Sequence, residues 1–283
     1  MRMFVSGLSA PGRFASVRRP LIFLALAAIV YVGAVHVPEL RAADANALYG
    51  FMGLTQLPGA GHTIELISLF NPAPFAALLL GIVATGVLVG RVRAGLLGAG
   101  AMLGAEVSAQ LLKPLLAMQR DVPFLAPAAW PSGHTTAVMG FALALAIVAP
   151  PRARPYAVAA GALLTVFTVN ALLMVGSHYP SDVLGGLLLA SAWGSAAVLA
   201  LGERDRDRVS VRGPLLATGA LFALFALAVL PRTGAAVDYA VANTTFVLSA
   251  LTIAAAALVL SGSVPAPTGA RRRLPQGSPR ARG

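Results

Sequence analysis

Cysteine is absent from the 283 residues, which excludes disulfides, thiolate nucleophiles and cysteine-ligated metal centres. Charge is scarce: Asp, Glu, Lys and Arg make up 11% of the chain, against about 25% in soluble globular domains. Lysine is nearly missing, with Lys113 its single example, and only 10 residues are acidic. With 58% hydrophobic residues and a mean hydropathy of +0.80, that shortage excludes a soluble globule and predicts an integral membrane protein. A net charge of +11 would otherwise favour nucleic acid. The arginines, however, lie between apolar segments and in the tails, where membrane topology accounts for them, so no nucleic-acid partner is expected. The expected partner is the bilayer, and the sequence carries no signal for an oligomeric state.

A span needs about 20 mostly apolar residues. The chain offers eight such stretches, at about 20–37, 73–90, 94–112, 132–149, 156–177, 183–201, 214–230 and 241–261. The fold class expected is therefore all-α, a polytopic transmembrane helix bundle of about eight spans. Residues 1–19 read as a cytoplasmic N-terminal segment, 20–261 as the transmembrane domain, and 262–283 as a disordered basic cytoplasmic tail rich in Pro, Gly and Arg. Arginine and lysine near span ends stay cytoplasmic. Seventeen of the 21 basic residues fall on one side of this topology, leaving only Arg41, Lys113, Arg120 and Arg232 on the other. Both termini are thus expected in the cytoplasm.

The first apolar segment could instead serve as a secretory signal. Its run over 21–37 exceeds the roughly 7–15 residues of a signal core, which favours a retained span. Residues 38–72 form the longest external connection; a covering loop is expected there, with a short interfacial helix around 44–55 as an option. Alternating charge over 203–208 reads as a solvated turn. No internal repeat of the transporter kind is evident. Ala- and Arg-rich usage with one lysine suggests a bacterium with GC-rich coding, hence the cytoplasmic (inner) membrane.

Between 113 and 182, Lys113, Arg120, the run 131–134, His178 and Asp182 all sit at ends of apolar segments on the external side. Lys113 ends the third span, and Arg120 lies seven residues on in a loop broken by Pro114 and Pro123. Two cations so placed can converge on a phosphoryl oxyanion, lysine as a point charge and arginine as a planar fork; taken alone they could equally snorkel to the interface. Pro131-Ser132-Gly133-His134 opens the fourth span. Ser132 can cap, Gly133 admits a ligand to the backbone, and the free amides of a helix start attract anions. His178 closes the fifth span and Asp182 opens the sixth, so a carboxylate can orient one imidazole nitrogen and make the other a better nucleophile. Two histidines and an aspartate could alternatively ligate zinc. The neighbouring cations oppose that, so neither metal nor cofactor is expected.

Lys113 with Arg120, the complete Pro131 to His134, and His178 with Asp182 in Ser177-His178-Tyr179-Pro180-Ser181-Asp182 together resemble the three signatures of the type 2 phosphatidic acid phosphatase superfamily, the lipid phosphatases and related acid phosphatases and haloperoxidases. The resemblance covers about residues 100–190 and implies a six-helix phosphatase-like core, here at about 73–201. It implies catalysis by His178, His134 and Asp182, with Lys113, Arg120, Ser132 and Gly133 on the phosphate. In that scheme His178 attacks phosphorus to give a phosphohistidine, Asp182 orients it, and His134 protonates the leaving oxygen. Two positions depart from the family. Asp121 stands where it has proline, and the Ser-Arg pair of the third signature falls on Ala171-Leu172, so a third phosphate-binding cation is missing unless Arg41 or Arg232 supplies it.

The function expected is hydrolysis of a lipid phosphomonoester or diphosphate, phosphatidic acid-like or polyprenyl, at the outer face of the membrane. The alternatives are a phosphotransferase on the same fold and a non-catalytic phospholipid-binding or transport protein with a degraded site. Glu106, two turns inside Lys113, is expected to pair with that lysine, and Asn170 to bond between helices.

Overall fold

The computed structural model describes residues 11–56, 60–202 and 211–263. The start of the expected cytoplasmic segment, the charged turn at 203–208 and the tail from 264 lie outside the described residues. Every described regular element is helical: α1 (Pro11–His36), α2 (Pro38–Met52), α3 (Ala60–Glu65), α4 (Pro72–Leu88), α5 (Val92–Leu115), α6 (Gly133–Val148), α7 (Arg154–Met174), α8 (Pro180–Ala200), α9 (Arg212–Val229), α10 (Thr233–Ala242) and α11 (Thr244–Gly262). The expected all-α bundle is the observed architecture.

The eight expected spans are all helices, of unequal length. Six helical stretches are long and apolar enough to cross a membrane. The apolar α4 and α6 are shorter, with 17 and 16 residues, and lie at the short end of the range for a span. Stretch 214–230 also runs on, through a 3-10 turn, so that Arg212–Ala242 forms one apolar segment of 31 residues. Residues 73–201, where six helices are expected, hold five, α4 to α8; α1 packs along α8 with Ala27, Ala34 and Val35 buried.

The segment after α1 is built structure rather than a covering loop. Pro38 at the first turn is pre-set for helix and leaves no amide unpaired, and Glu39 there suits the positive end of the helix dipole. Ala-rich sequence then carries α2 to Met52, with Ala45, Ala47, Leu48 and Phe51 buried against α7, α8 and α11.

α5, α6 and α8 form the centre, and glycine sets their closest approach. A Cβ on Gly186 would lie 2.8 Å from the Ser132 carbonyl oxygen and 2.9 Å from Thr135 Cβ, and one on Gly185 would enter the Trp130 indole at 2.6 Å. Residues 130–136 can lie flat on α8 only because both side chains are missing. Gly186→Ala is expected to push the start of α6 off α8, costing about 1–3 kcal/mol of stability and lowering activity as well. Thermal unfolding and turnover of the purified variant in detergent check this together.

Candidate active site

Four elements deliver the site: the end of α5, the 116–131 loop, the start of α6 and the α7–α8 junction. Ser132 caps α6, its hydroxyl accepting from the Thr135 amide at 3.3 Å and from Thr135 Oγ1 at 2.9 Å. Its own amide donates to the Asp182 carbonyl at 3.0 Å, which ties the α6 N-terminus to α8. The Ser132 hydroxyl thus accepts twice inside the first turn of α6, and its O–H, with the backbone amides of that turn, is what the helix start offers an anion.

His134 projects half-buried from the same turn, with Nε2 3.4 Å from Oδ1 of Asn71, which precedes α4. Lys113, in the last turn of α5, makes no hydrogen bond or ion pair among the described residues. Its ammonium lies 3.3 Å from where a Cβ on Gly133 would stand. Glu106 and Gln110 reach the same spot, and Gln110 Nε2 donates to Glu106 Oε1 at 2.6 Å. The expected Glu106–Lys113 ion pair is not formed: Gln110 holds Oε1, and Glu106 Oε2 is buried without a hydrogen-bond partner. Asn170 bonds back within α7, donating to the Val166 carbonyl at 2.7 Å, rather than across helices.

α7 ends in a left-handed glycine, Gly176 at φ +68. The Gly176 amide donates to the Leu173 carbonyl and the Ser177 amide to the Leu172 carbonyl, a Schellman arrangement that turns the chain sharply. His178 follows, buried, with Nδ1 3.5 Å from Asp182 Oδ2 and no hydrogen bond made by that nitrogen. Asp182 is fully buried near the start of α8, its Oδ2 accepting from the Tyr179 amide at 2.9 Å. An imidazole with Nδ1 turned to a carboxylate has Nε2 left for chemistry. Leu172, where the family resemblance calls for arginine, is buried at 2% exposure.

Arg120 comes to the same junction, but its guanidinium is enclosed. Nη2 donates to Asp182 Oδ1; Nη1 donates to Ser181 Oγ at 3.0 Å and to Asp44 Oδ2 at 3.2 Å. The Tyr179 ring lies under the guanidinium carbon at 3.6 Å. Tyr179 also fixes the loop, its hydroxyl accepting from the Val122 amide at 2.8 Å, and burial pushes its phenol up, away from ionisation. Arg41 and Asp121 pair with each other at 2.9 Å, which ties α2 to the loop, while Arg232 is exposed beside α10. Neither arginine fills the place left by Leu172.

Asp44 is the member that sequence reasoning missed. Its carboxylate accepts from the Ser181 amide at 3.0 Å and from the Ser181 hydroxyl, besides Arg120. Burial pushes its pKa from 3.8 to about 7, with nearby Asp182 adding to the rise and Ser181 and Arg120 opposing it. Its rarity was the available signal: few acidic residues exist in the chain, and this one lies on the side opposite most of the arginines. Tyr179, Ser181 and Asn71 carried no such mark. Among the described residues no three His, Asp or Glu side chains are grouped so as to hold a metal ion.

Residues 98–206 match the family model described as the PAP2 superfamily. No curated protein and no solved structure matches the chain.

Proposed function

From membership of the type 2 phosphatidic acid phosphatase superfamily, which the match over 98–206 supports, we propose that this membrane protein is a metal-independent lipid phosphatase. Its substrates are phosphatidic acid-like or polyprenyl phosphates and diphosphates. The observation that carries the reading is the convergence, at one end of the bundle, of the His178–Asp182 pair, the α6 N-terminus with His134, and the unpaired Lys113. His178 Nε2 attacks phosphorus, and the new P–N bond forms as the ester P–O bond breaks. His134 gives a proton to the departing lipid oxygen, Asp182 balances the charge that develops on the His178 ring, and water then cleaves the P–N bond to release phosphate. Lys113 and the amides at Gly133 and His134 match the charge on the equatorial oxygens throughout.

A site at a helix-bundle end lets lipid tails stay in the bilayer while the phosphate reaches His178. Positive-inside topology places that end outward, with both termini cytoplasmic, in a bacterial inner membrane.

The enclosed Arg120 and the buried Leu172 favour a second reading, a phospholipid-binding protein without turnover. The deciding measurement is phosphate release by the purified chain from diacylglycerol phosphate and from polyprenyl diphosphate, with chelator present. Release from either supports the phosphatase. Binding of both without release supports the second reading, and release only after metal is restored removes the metal-independent mechanism.

A further inference from the structure

The grip on Arg120 comes partly from outside the family-matched segment. α2 is held rigidly: a Cβ on Gly50 would meet Phe246 Cβ at 2.5 Å, Phe51 packs edge-on to Phe246 at 4.8 Å, and the Tyr239 hydroxyl donates to the Gly50 carbonyl. α10 and α11 thus brace α2, and the braced helix presents Asp44 to the Nη1 edge of Arg120, opposite the edge held by Asp182. We propose that Asp44 is a positioning residue that competes with a substrate phosphoryl group for Arg120, holding Nη1 when ionised and releasing it toward the pocket when neutral. The inference rests on the phosphate-pocket reading given above.

The chemistry follows from the count of charges. One guanidinium faces two buried carboxylates, so with both ionised the cluster is net negative and repels a phosphate dianion. With Asp44 neutral, Asp182 alone balances Arg120, and Nη1 keeps only the Ser181 hydroxyl. The phosphate grip, short of a cation at Leu172, is then completed by Arg120. The other charged or titratable groups on the packed elements are Asp121 paired with Arg41 of α2, Glu39 and Tyr49 also on α2, His178 beside Asp182, Tyr31 and His36 in the latter part of α1, and Asp238 and Tyr239 on α10. α11 has none, and Arg154 and Tyr156 lie at the opposite end of α7.

The sign is fixed by the raised pKa of Asp44: proton uptake below about 7 frees Arg120, and proton loss above it engages Arg120. Asp44→Asn mimics the neutral form and keeps an acceptor for the Ser181 amide. Calorimetric titration of the full-length protein in detergent with inorganic phosphate reads the pocket without turnover. The ratio of wild-type to Asp44→Asn Kd cancels phosphate's own titration. It is expected to rise from near one at pH 6 to about fivefold at pH 8. Ser181→Ala, which removes the hydroxyl bridging Asp44 and Arg120, is expected to tighten binding at pH 8 in the same direction and serves if Asp44→Asn does not purify as a folded protein. A ratio flat across pH, or weaker binding by both variants at pH 8, overturns the proposal while leaving lipid turnover untouched. No phosphate binding by wild type or variants at either pH overturns this proposal and the pocket reading together. Binding with the expected ratio but no lipid turnover upholds Asp44 and removes only the phosphatase.

Discussion

His178→Ala is expected to abolish phosphate release, by at least about 10³-fold, while leaving the bundle intact. The size follows from the role: a covalent nucleophile has no substitute in a pocket whose other groups bind or transfer protons, and removing such a member leaves only binding and charge stabilisation. Preservation of the fold follows from the contacts. The His178 Nδ1 makes no hydrogen bond, and its nearest charged neighbour, Asp182, keeps both Arg120 and the Tyr179 amide. The unfolding temperature should therefore stay within a few degrees of wild type. Release assays against lipid substrate, with a melt on the same preparation, separate chemistry from folding. Turnover retained within about tenfold would remove His178 as the nucleophile.

Arg120→Ala is expected to fail differently, losing stability as well as activity. Its guanidinium is the shared partner of two enclosed carboxylates, Asp44 and Asp182, with side-chain exposures of 9% and 0%. Breaking a buried ion pair from one side strands charge in a poor solvent, at a cost of about 3–5 kcal/mol. Protonation relieves that cost, so the deficit should shrink as pH falls and grow as it rises. Arg120→Lys keeps one charge but cannot fork between two carboxylates, and an intermediate loss is expected. Unfolding midpoints of the three proteins at acid and alkaline pH test this. A midpoint for Arg120→Ala equal to wild type would show that Arg120 is held for ligand alone.

Helix positions were legible in the sequence because a bilayer imposes one length scale and proline, glycine and arginine mark its edges. The order of Lys113, Ser132, His134, His178 and Asp182 along the chain was legible too, since each lies at a helix end that the apolar pattern locates. What could not be read was how Arg120 spends its donors. A loop arginine beside a phosphate motif reads as a phosphate ligand, and only the packing of α2 reveals Asp44 and Ser181 on its other edge. Helix spacing alone sets Glu106 beside Lys113, and spacing does not show Gln110, one turn on along the same face, holding Oε1. α4 and α6 are the shortest of the expected spans, and Ser132 starts α6 at the site itself.

The brace that α10 and α11 give α2 bears on what counts as the functional unit. All three signature motifs fall within 113–182, so grafting that stretch, or the longer matched segment, onto another bundle would carry every conspicuous residue. It would leave behind Asp44 and the Phe246 and Tyr239 contacts that hold α2 in place. Such a chimera would have Arg120 balanced by Asp182 alone at any pH. Its response to acidity, rather than its motifs, would reveal that part of the machinery had been left in the flanking helices.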